Sequence, residues 1–487
     1  MRSKGHVVGG SSWSGAFRRL LPRSELKLTD GARVGVLGGG PAGSMFSYFL
    51  LQMADIAGLE LEVDLYDPND YIEPKPVACN MCGGIVSETL VQHLSTDGIS
   101  LPPDVIQRGI ESYVLHMDGR GVRITAPLQE KRIGSVHRGT GPRKLDPTLK
   151  IWKSFDGHLQ ELAIRAGARP IRGRVTHVDW QETTPRLAIK GGEPRGYDLV
   201  AVAVGINSPA LKLFEGPPIH YRAPRSVKTF IREYHMPERD IERHLGDAMH
   251  VFLLNIPGLE FAAIIPKLNC ATVCLLGDDI DKGVFQSFLD SPEVRSVMPP
   301  GWEPGEFACH CSPSMNVGGS ERPYGDRIVF IGDSGVTRLY KDGIGAAYRT
   351  AKAAARTAVF SGISAADFER HYGKVCRRIV ADNRLGRIVF AIGAEVQKRR
   401  AGRESVLRMI IDEQRKPTRG AGMSAVMWDM FTGSATYREI FLRTLRPSFQ
   451  LRQLGAIVAS LTRRPLERHR STVAASAIAI GGDSGSR

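Results

Sequence analysis

Cysteine pairs and glycine-rich turns supply the residues of this chain whose types and spacing could do chemistry. Cys79 and Cys82 form a C-x-x-C pair, and Cys309 and Cys311 form a C-x-C pair around His310. A thiol can donate a proton, paired thiols can form a redox-active disulfide, and a cluster of thiols can bind zinc or an iron–sulfur cluster. Each cysteine can equally be a small packing residue. The sequence leaves these roles open.

A metal site is the weakest of these hypotheses. It would require both cysteine pairs to converge with His310 in the folded chain, and C-x-C is an uncommon ligand spacing. No compact ferredoxin-like run of cysteines accompanies them. We therefore predict no metal site and keep Cys79 and Cys82 as candidate catalytic residues.

A glycine-rich turn near the start of the chain predicts a dinucleotide-binding site. Residues 38–43 read GGGPAG, which fits G-x-G-x-x-G, and they lie between a predicted strand at 33–38 and an apolar helix ending near Ala57. The first glycine permits the tight turn, the second lets the backbone approach a pyrophosphate, and the third lets the helix pack on the strand. The helix N-terminus then faces the phosphates. The predicted cofactor contacts here are Gly38, Gly40, Pro41, Ala42 and Gly43.

An acidic residue is placed to complete this site. Asp67 ends the second predicted strand, residues 61–67. In a dinucleotide-binding fold, a carboxylate at the end of that strand accepts hydrogen bonds from the adenosine ribose hydroxyls. We therefore predict Asp67 as a further cofactor contact.

A second motif lies far downstream. Residues 327–355 read RIVFIGDSGVTRLYKDGIGAAYRTAKAAA, so a predicted strand ends in a glycine-rich turn and an Ala-rich helix follows at about 343–360. This arrangement resembles the distal flavin motif of the FAD-dependent oxidoreductases that fold like p-hydroxybenzoate hydroxylase. The resemblance implies that the aspartate binds the ribityl chain of FAD and that the helix N-terminus approaches the isoalloxazine ring, where its dipole would stabilise the reduced flavin. The predicted contacts are Gly332, Asp333, Gly343, Ile344 and Gly345.

A third segment fits between these two motifs. Residues 198–208, DLVAVAVGINS, resemble the middle motif of the same superfamily, with Gly205 and Ser208 matching and Val204 standing in the usual place of an aspartate. The order of the three motifs predicts an α/β fold. It comprises a Rossmann-type FAD-binding domain, an inserted antiparallel β-sheet substrate domain and a helical C-terminal region.

The stretch after the second strand resembles one branch of that superfamily. Residues 76–85 read PVACNMCGGI, and Cys82-Gly83-Gly84 matches the core of a segment found in the geranylgeranyl reductase family. Residues 154–171 also resemble a segment of that family, and Arg138 corresponds to an arginine that precedes it. The resemblance implies that Cys82, Gly83, Gly84 and Arg138 contact FAD.

The same resemblance implies a reaction. We expect reduction of carbon–carbon double bonds of an isoprenoid or other apolar, lipid-like substrate by hydride transfer from reduced flavin, with NAD(P)H or reduced ferredoxin as the reductant. A cysteine in the loop that carries Cys79 and Cys82 could supply the proton. Two alternatives remain open: an FAD-dependent monooxygenase on the same fold, and an electron-transfer flavoprotein that serves a protein partner.

Pattern changes along the chain divide it into segments. Antiparallel strands are predicted from about 210 to 325, with clear runs at 249–256, 260–266 and 271–279. Earlier, a helix is predicted at 157–167 and strands at 170–179 and 197–204. The predicted segments are a basic leader at 1–30, the FAD-binding domain at 31–208 and 326–362, the substrate domain at 209–325, basic helices at 363–470 and a disordered tail at 471–487.

Charge and cysteine content suggest a location. The formal net charge is +14, and much of the arginine excess follows residue 376. Such an excess favours an acidic partner, and a basic amphipathic helix near the C-terminus could lie on an anionic membrane surface. Nucleic acid is disfavoured because no nucleic-acid-binding motif accompanies the charge. Seven cysteines form no disulfide framework, so we expect a cytoplasmic protein, with the inner face of the membrane as a candidate site of peripheral attachment.

Overall fold

The computed structural model describes residues 25–71, 82–125, 133–139, 153–303, 307–415 and 422–462, and it describes residues 307–309 by their backbone alone. Predictions that fall elsewhere lie outside these residues. They include Cys79, most of the leader at 1–30 and the tail at 471–487.

The strands in chain order are β1 (Arg33–Leu37), β2 (Glu62–Asp67), β3 (Ile85–Val86), β4 (Ile106–Ile110), β5 (Ser112–Met117), β6 (Arg120–Thr125), β7 (Ile133–Val136), β8 (Arg169–Arg172), β9 (Val175–Gln181), β10 (Thr184–Ile189), β11 (Arg195–Gly196), β12 (Leu199–Val202), β13 (Ser226–Lys228), β14 (Phe230–His235), β15 (Ala248–Phe252), β16 (Leu259–Pro266), β17 (Cys270–Gly277), β18 (Phe307–Cys311), β19 (Ser314–Asn316), β20 (Tyr324–Gly325) and β21 (Ile328–Phe330). The α-helices are α1 (Pro41–Ala57), α2 (Glu88–Thr96), α3 (Phe155–Arg165), α4 (Glu238–Asp240), α5 (Lys282–Leu289), α6 (Pro292–Arg295), α7 (Gly343–Phe360), α8 (Ala365–Arg370), α9 (Tyr372–Lys398), α10 (Arg400–Arg415), α11 (Met423–Thr432), α12 (Tyr437–Thr444) and α13 (Pro447–Thr462).

The first sheet contains six strands in the order β20-β21-β12-β1-β2-β8. β1 pairs in parallel with β12 and β2, β21 and β8 extend the parallel sheet, and β20 forms an antiparallel edge. Val34 and Val36 face a core shared with α1, α3 and α7, while Leu37 and Val202 face a second core on the other side. Because both faces are covered, these strands read as continuous apolar runs. The predicted Rossmann-type sheet is confirmed.

The second sheet has the strand order β18-β14-β17-β16-β15-β5-β6. The three apolar runs predicted to be antiparallel strands form β15, β16 and β17, and they pair as predicted. β5 and β6 come from inside the segment assigned to the first part of the FAD-binding domain, and they join this sheet through parallel pairing of β5 with β15. The sheet is therefore assembled from two separate parts of the chain.

The two faces of the second sheet bury different cores. Ile231, Ala263 and Cys274 face a cluster that includes residues of the C-terminal helices α10, α11 and α12. Phe230 and Ile264 point the opposite way, toward α5 and α6. This alternation follows the two-residue period of a strand. The C-terminal helices pack on the face that carries Ile231, Ala263 and Cys274.

One predicted strand, residues 170–179, is two strands in the structure. β8 belongs to the parallel sheet, whereas β9 pairs antiparallel with β10 in a separate three-stranded sheet. Gly173 separates them, and a Cβ there would lie 3.0 Å from the Cγ2 of Ile189. Ile189 therefore packs closely on Gly173, the residue at which the chain leaves the parallel sheet.

The C-terminal region is helical, as predicted. α10 packs against both α9 and α13, and α12 packs against α9. Trp428 and Ile410 are buried in the core that these helices share with the second sheet. Within the described ranges, every helix is too short or too polar to cross a membrane.

Two buried histidines lie side by side between β5 and β15. The Nε2 of His116 is 2.9 Å from the Nδ1 of His250, and the Nε2 of His250 is 3.1 Å from the carbonyl oxygen of Leu245. That carbonyl must accept, so the Nε2 of His250 carries a proton and its Nδ1 accepts from His116. Burial lowers the pKa of His250 to about 4 and that of His116 well below its ordinary value. Both rings are neutral in the folded protein.

These histidines predict acid sensitivity. Between pH 6.5 and the lowered folded pKa, the unfolded chain binds a proton that the folded chain does not, so stability falls as pH falls. Lowering the pH from 7 to 5 should cost about 2 kcal/mol of unfolding free energy for each such histidine. Urea unfolding at both pH values should show a smaller loss for His250→Gln than for the wild type. The exposed His235 provides a control, since His235→Gln should keep the full loss. Equal losses in all three proteins would contradict this assignment.

Candidate functional site

A cavity of about 700 Å³ lies where the two sheets meet. It borders the carboxyl ends of β1, β2 and β12, the edge at which ligands bind in open α/β sheets. We use two names for its wall. The cradle comprises Gly38, Gly40, Pro41, Ala42, Asp67, Cys82, Gly83, Gly84, Arg138, Asp333, Gly343 and Ile344. The apolar wall, on the second sheet, comprises Ile231, Met249, Phe261, Ala263, Ile265, Cys274 and Leu276.

The cradle residues are the predicted cofactor contacts that line the cavity, and they come from five separate parts of the chain. Three further predicted contacts, Gly43, Gly332 and Gly345, do not line the cavity and belong to the packing behind it. Cys79 lies outside the described residues.

Close packing explains most of these glycines. A Cβ on Gly43 would lie 1.8 Å from the carbonyl oxygen of Gly38, and a Cβ on Gly38 would lie 2.6 Å from that of Ala203. Gly332, at φ +59°, presses against α1 with its Cβ position 2.7 Å from the Cβ of Ala42. These three glycines are required by the fold itself, because any side chain would collide with neighbouring atoms.

Gly40 and Gly343 differ from the other glycines. Gly40 has φ −71°, and the nearest atom to a Cβ there is the Nη2 of Arg138 at 3.5 Å. For Gly343 the nearest atom is the Oγ1 of Thr337 at 3.8 Å. Both distances are ordinary van der Waals contacts, so neither glycine is needed for internal packing. Each lies at a helix N-terminus that no side chain caps. Such an end, facing a cavity, can bind an anion or a ligand oxygen.

Asp67 holds the glycine turn in place. Its two carboxylate oxygens accept hydrogen bonds from the amides of Gly39 at 2.6 Å and Asn69 at 2.8 Å. Burial raises the pKa of Asp67, and these two amides oppose the shift. A carboxylate oxygen has two lone pairs, so Asp67 retains acceptor capacity toward the cavity.

Arg138 lies beside Gly40 and is oriented by a buried carboxylate. Its Nε and Nη2 donate to the two carboxylate oxygens of Asp156 at 3.1 and 2.8 Å. Burial raises the pKa of Asp156, and the Arg138 guanidinium opposes that rise. The bidentate geometry fixes the plane of the guanidinium. Asp156, in the first turn of α3, also lines the cavity and is a site residue that the sequence analysis missed.

Asp333 also lines the cradle, next to Gly332, which packs against Ala42 of α1. Its backbone carbonyl accepts from the Nδ2 of Asn316 at 2.6 Å, which anchors the turn that follows β21. Burial raises the pKa of its carboxyl group, and the positive charge of Arg138 opposes the shift. A half-buried carboxyl group that lines a cavity can form hydrogen bonds with the hydroxyl groups of a ligand.

The Cys82–Gly84 segment joins the cradle to the apolar wall. The amide of Gly84 donates to the Sγ of Cys82 at 3.3 Å. Gly84 has φ +72°, and a Cβ there would lie 2.0 Å from the carbonyl oxygen of Val136. The Cβ position of Gly83 is 2.9 Å from the Cδ1 of Ile265. Cys82 is therefore held at the boundary between the two parts of the cavity wall.

A buried ionic cluster lies behind Gly84. The Nζ of Lys267 is 2.8 Å from a carboxylate oxygen of Glu233 and 3.4 Å from the Nδ1 of His137. Glu233 holds the pKa of Lys267 above its ordinary value despite burial, whereas burial lowers the pKa of His137 to about 3. His137, Glu233 and Cys270 have ligand atoms close enough to share a metal ion. However, the ammonium group of Lys267 already places a cation among them, and burial raises the pKa of the Cys270 thiol.

Of the two cysteine pairs the structure describes the side chains of Cys82 and Cys311, and these two do not converge with His310. β18 pairs with β14 so that Cys311 lies opposite Ile231, and Ile231 in turn lies opposite Cys274 on β17. His310 is exposed, whereas Cys311 packs against the cavity-side core, because adjacent residues of a strand face opposite ways. For the side chains that the structure describes, the neighbour of the Cys82 segment is Cys274, whose Sγ is 3.4 Å from the Cβ position of Gly83.

The sequence analysis also missed how the C-terminal helices reach the site. The Nη1 of Arg338 donates to the carbonyl oxygen of Gly433 at 2.7 Å, and the Nζ of Lys341 donates to that of Asp429 at 2.8 Å. Burial, together with Arg338, lowers the pKa of Lys341. These bonds place Phe431 of α11 in the cavity wall. Arg338 and Lys341 both lie inside the motif at residues 327–355, so their basic side chains could have been recognised there as candidate contacts. No pattern in the sequence indicated Phe431.

Comparison with known proteins gives no match to a protein-family model and none to a curated protein sequence. Solved structures are similar in fold. A flavoprotein/dehydrogenase from Cytophaga hutchinsonii is 14% identical with a TM-score of 0.58, and the match covers 89% of this chain and 99% of that one. A variant of the halogenase PltM in complex with FAD is 11% identical with a TM-score of 0.56, covering 90% and 93% of the two chains. The peptidyl tryptophan dihydroxylase QhpG is 16% identical with a TM-score of 0.52, covering 80% of each chain. At these identities the similarity establishes the fold, which is that of FAD-binding Rossmann-type flavoproteins with a helical C-terminal region.

The close contact between Gly43 and Gly38 predicts that an alanine at Gly43 destabilises the protein, whereas an alanine at an open helical glycine stabilises it. Gly43→Ala should lower the thermal midpoint of unfolding, because the new Cβ would force the carbonyl of Gly38 to move. Gly393→Ala in α9 meets no atom within 4 Å and should raise stability by about 0.5–1 kcal/mol. Thermal unfolding of both variants checks this, and a Gly43→Ala protein as stable as Gly393→Ala would contradict the packing described here.

Proposed function

We propose that the chain is an FAD-dependent oxidoreductase that acts on an apolar small molecule. The observation that carries the proposal is the composition of one cavity. Its cradle brings together glycine turns, two helix N-termini and buried carboxyl groups, while the facing wall is apolar. A dinucleotide and an apolar substrate bound there would lie side by side in one cavity, as transfer between them requires.

The cradle fits FAD at both ends. Gly40 leaves room at the α1 N-terminus for a pyrophosphate, and Asp67 lies at the end of β2, where an adenosine ribose would be bound. Asp333 is placed to bind the ribityl hydroxyls of FAD. Gly343 leaves the N-terminus of α7 accessible to the isoalloxazine ring. The second pair of contacts favours FAD over NAD, because a nicotinamide dinucleotide has no ribityl chain.

The apolar wall favours a substrate that is apolar where it meets the cofactor. Ile231, Phe261 and Leu276 are buried, at 7%, 8% and 8% exposed, yet all three line the cavity. An apolar ligand portion would remain out of water against these side chains. A small substrate in this space also accounts for the cavity more directly than an electron-transfer role, which needs no apolar wall.

The finer proposal is reduction of a carbon–carbon double bond in an isoprenoid or similar lipid, as the resemblance of Cys82-Gly83-Gly84 to geranylgeranyl reductases implies. Bound FAD in its reduced form would supply hydride, drawn from NAD(P)H or reduced ferredoxin. The apolar wall would orient the substrate and exclude water. The thiol of Cys82, at the junction of cradle and wall, would donate the proton to the second carbon, and water would reprotonate the thiolate after product release.

A hydroxylase is the rival function on this fold, and QhpG shows that dihydroxylation occurs among proteins of similar structure. The two reactions differ in their product. A reductase adds two hydrogens for each double bond and works without oxygen, whereas a monooxygenase inserts one oxygen atom and requires it. Mass spectrometry of a polyprenyl substrate, incubated with chemically reduced enzyme with and without oxygen, separates them. We expect the hydrogenated product without oxygen; an oxygen-dependent hydroxylated product would overturn the reductase proposal.

Gly40 tests the cofactor assignment. The purified full-length protein should release FAD on acid denaturation, and Gly40→Val should abolish this while keeping the thermal midpoint of the protein without cofactor. The reason is that a Cβ at Gly40 meets only ordinary contacts within the protein, whereas a branched side chain there would occupy the space of the pyrophosphate. Gly393→Val, with no atom within 4 Å of its Cβ, should retain FAD. Full FAD content in Gly40→Val would contradict the site.

Cys82 tests the proton donor. Cys82→Ala should lower kcat by about 10²-fold or more with KM little changed, because general acid catalysis contributes at that scale. Cys82→Ser keeps a weaker proton donor, so its kcat should lie between those of Cys82→Ala and the wild type. Cys311→Ser is the matched control, since Cys311 is half-buried and does not line the cavity. A Cys82→Ala enzyme with the wild-type rate would exclude Cys82 as the donor.

A further inference from the structure

The last described helix exposes a stripe of large apolar side chains. Leu451, Leu454, Val458 and Leu461 of α13 are 69%, 58%, 58% and 71% exposed. Their spacing of three, four and three residues places them on one face of the helix, over a length of about 15 Å. Exposed leucines are normal singly, but a continuous stripe indicates a binding surface.

The opposite face of α13 fixes this orientation. Phe449 is 1% exposed, and both it and Ala456 belong to the core shared with the second sheet. α13 also packs along α10. On the helix, Phe449 and Ala456 lie opposite the stripe, so α13 cannot turn its leucines inward without giving up its buried side. On the preceding segment Leu442 and Leu445 are also about half exposed, at 51% and 53%.

The charge around the stripe is one-sided. Residues 436–464 contain six arginines and one acidic residue, Glu439, and α13 contains no aspartate or glutamate. Arg438 and Arg446 are exposed at the surface of this region, and Arg452 is exposed while forming an ion pair with Glu413 of α10. A helix with leucines on its outer face, flanked by arginines, matches the composition of helices that lie in the interface of anionic membranes.

We infer that α12 and α13 form a docking surface for an anionic lipid bilayer. α13 would lie parallel to the membrane, with its leucine stripe among the acyl chains near the headgroups and the arginines against lipid phosphates. This inference does not rest on the proposed function, since it uses no residue of the cavity.

Charge also argues against other occupants of the stripe. A second copy of the chain would bring a second surface with the same excess of arginine, and the net charge of +14 on each chain would oppose the pairing. The segment 463–487 that follows α13 carries five arginines against two acidic residues, so it too would place like charge beside the stripe. A bilayer of anionic lipid is the partner that satisfies the leucines and the arginines together.

Flotation of the full-length protein with lipid vesicles tests the inference. We expect it to float with vesicles of equal amounts of phosphatidylcholine and phosphatidylglycerol, and to bind less to phosphatidylcholine alone or at high salt. The triple variant Leu451→Gln/Leu454→Gln/Leu461→Gln should bind roughly tenfold more weakly or worse. The matched control Ile56→Gln/Phe360→Gln/Ile392→Gln changes side chains that are 78%, 55% and 54% exposed elsewhere, and it should bind as the wild type does.

Three results would overturn the inference. The first is failure of the wild type to float with the mixed vesicles. The second is equal flotation of the two triple variants. The third is a dimer in sedimentation that the leucine variant abolishes, which would assign the stripe to a second copy. Thermal unfolding of each variant confirms that it is folded, and since all six substituted residues are exposed, the midpoints should stay close to that of the wild type.

Discussion

The N-terminus of α1 is the constraint on which the site depends. Gly43 lets this helix approach so closely that its Cβ position is 1.8 Å from the carbonyl oxygen of Gly38, and Gly332 packs against the same helix at Ala42. The glycine turn and the distal turn are far apart in sequence, yet both are positioned by contact with one helix. Asp67 then fixes the turn through the Gly39 amide. The cradle is thus set by backbone packing, and its polar groups need little adjustment to receive a ligand.

The second sheet supplies the apolar wall of the cavity, whereas the first sheet supplies part of the cradle. Its cavity-side residues, such as Ile231 and Phe261, form an apolar surface that faces the cradle, and the C-terminal helices cover the remainder of that face. Arg338 and Lys341, in the segment between β21 and α7, bond to the loop before α12 and to α11 respectively. The cradle and the C-terminal helices are therefore joined by hydrogen bonds, so a change in the position of these helices would reach the cavity.

The sequence predicted the parallel sheet and the three central antiparallel strands, and most of its predicted cofactor contacts line the cavity, because each of these features has a strong local signature. Glycine turns require particular backbone geometry, and buried strands read as apolar runs. What it missed depends on contacts between distant segments. Nothing local shows that β5 and β6 leave the first sheet for the second, that Asp156 pairs with Arg138, or that Phe431 reaches the cavity. Gly43 and Gly332 were predicted as cofactor contacts but lie behind the cavity wall, since a glycine needed for packing and one needed for a ligand look alike in sequence.

Glycines needed for packing and glycines that leave room for a ligand are distinguished by what a Cβ would contact. Gly40 and Gly343 have no packing reason to be glycine, and they open two helix N-termini onto one cavity. A crystal structure of the full-length protein with FAD tests this most directly. We expect the pyrophosphate at the α1 N-terminus beside Gly40 and the isoalloxazine ring between Gly343 and the apolar wall. FAD bound elsewhere, or with its ring turned away from Ile231 and Phe261, would contradict this prediction.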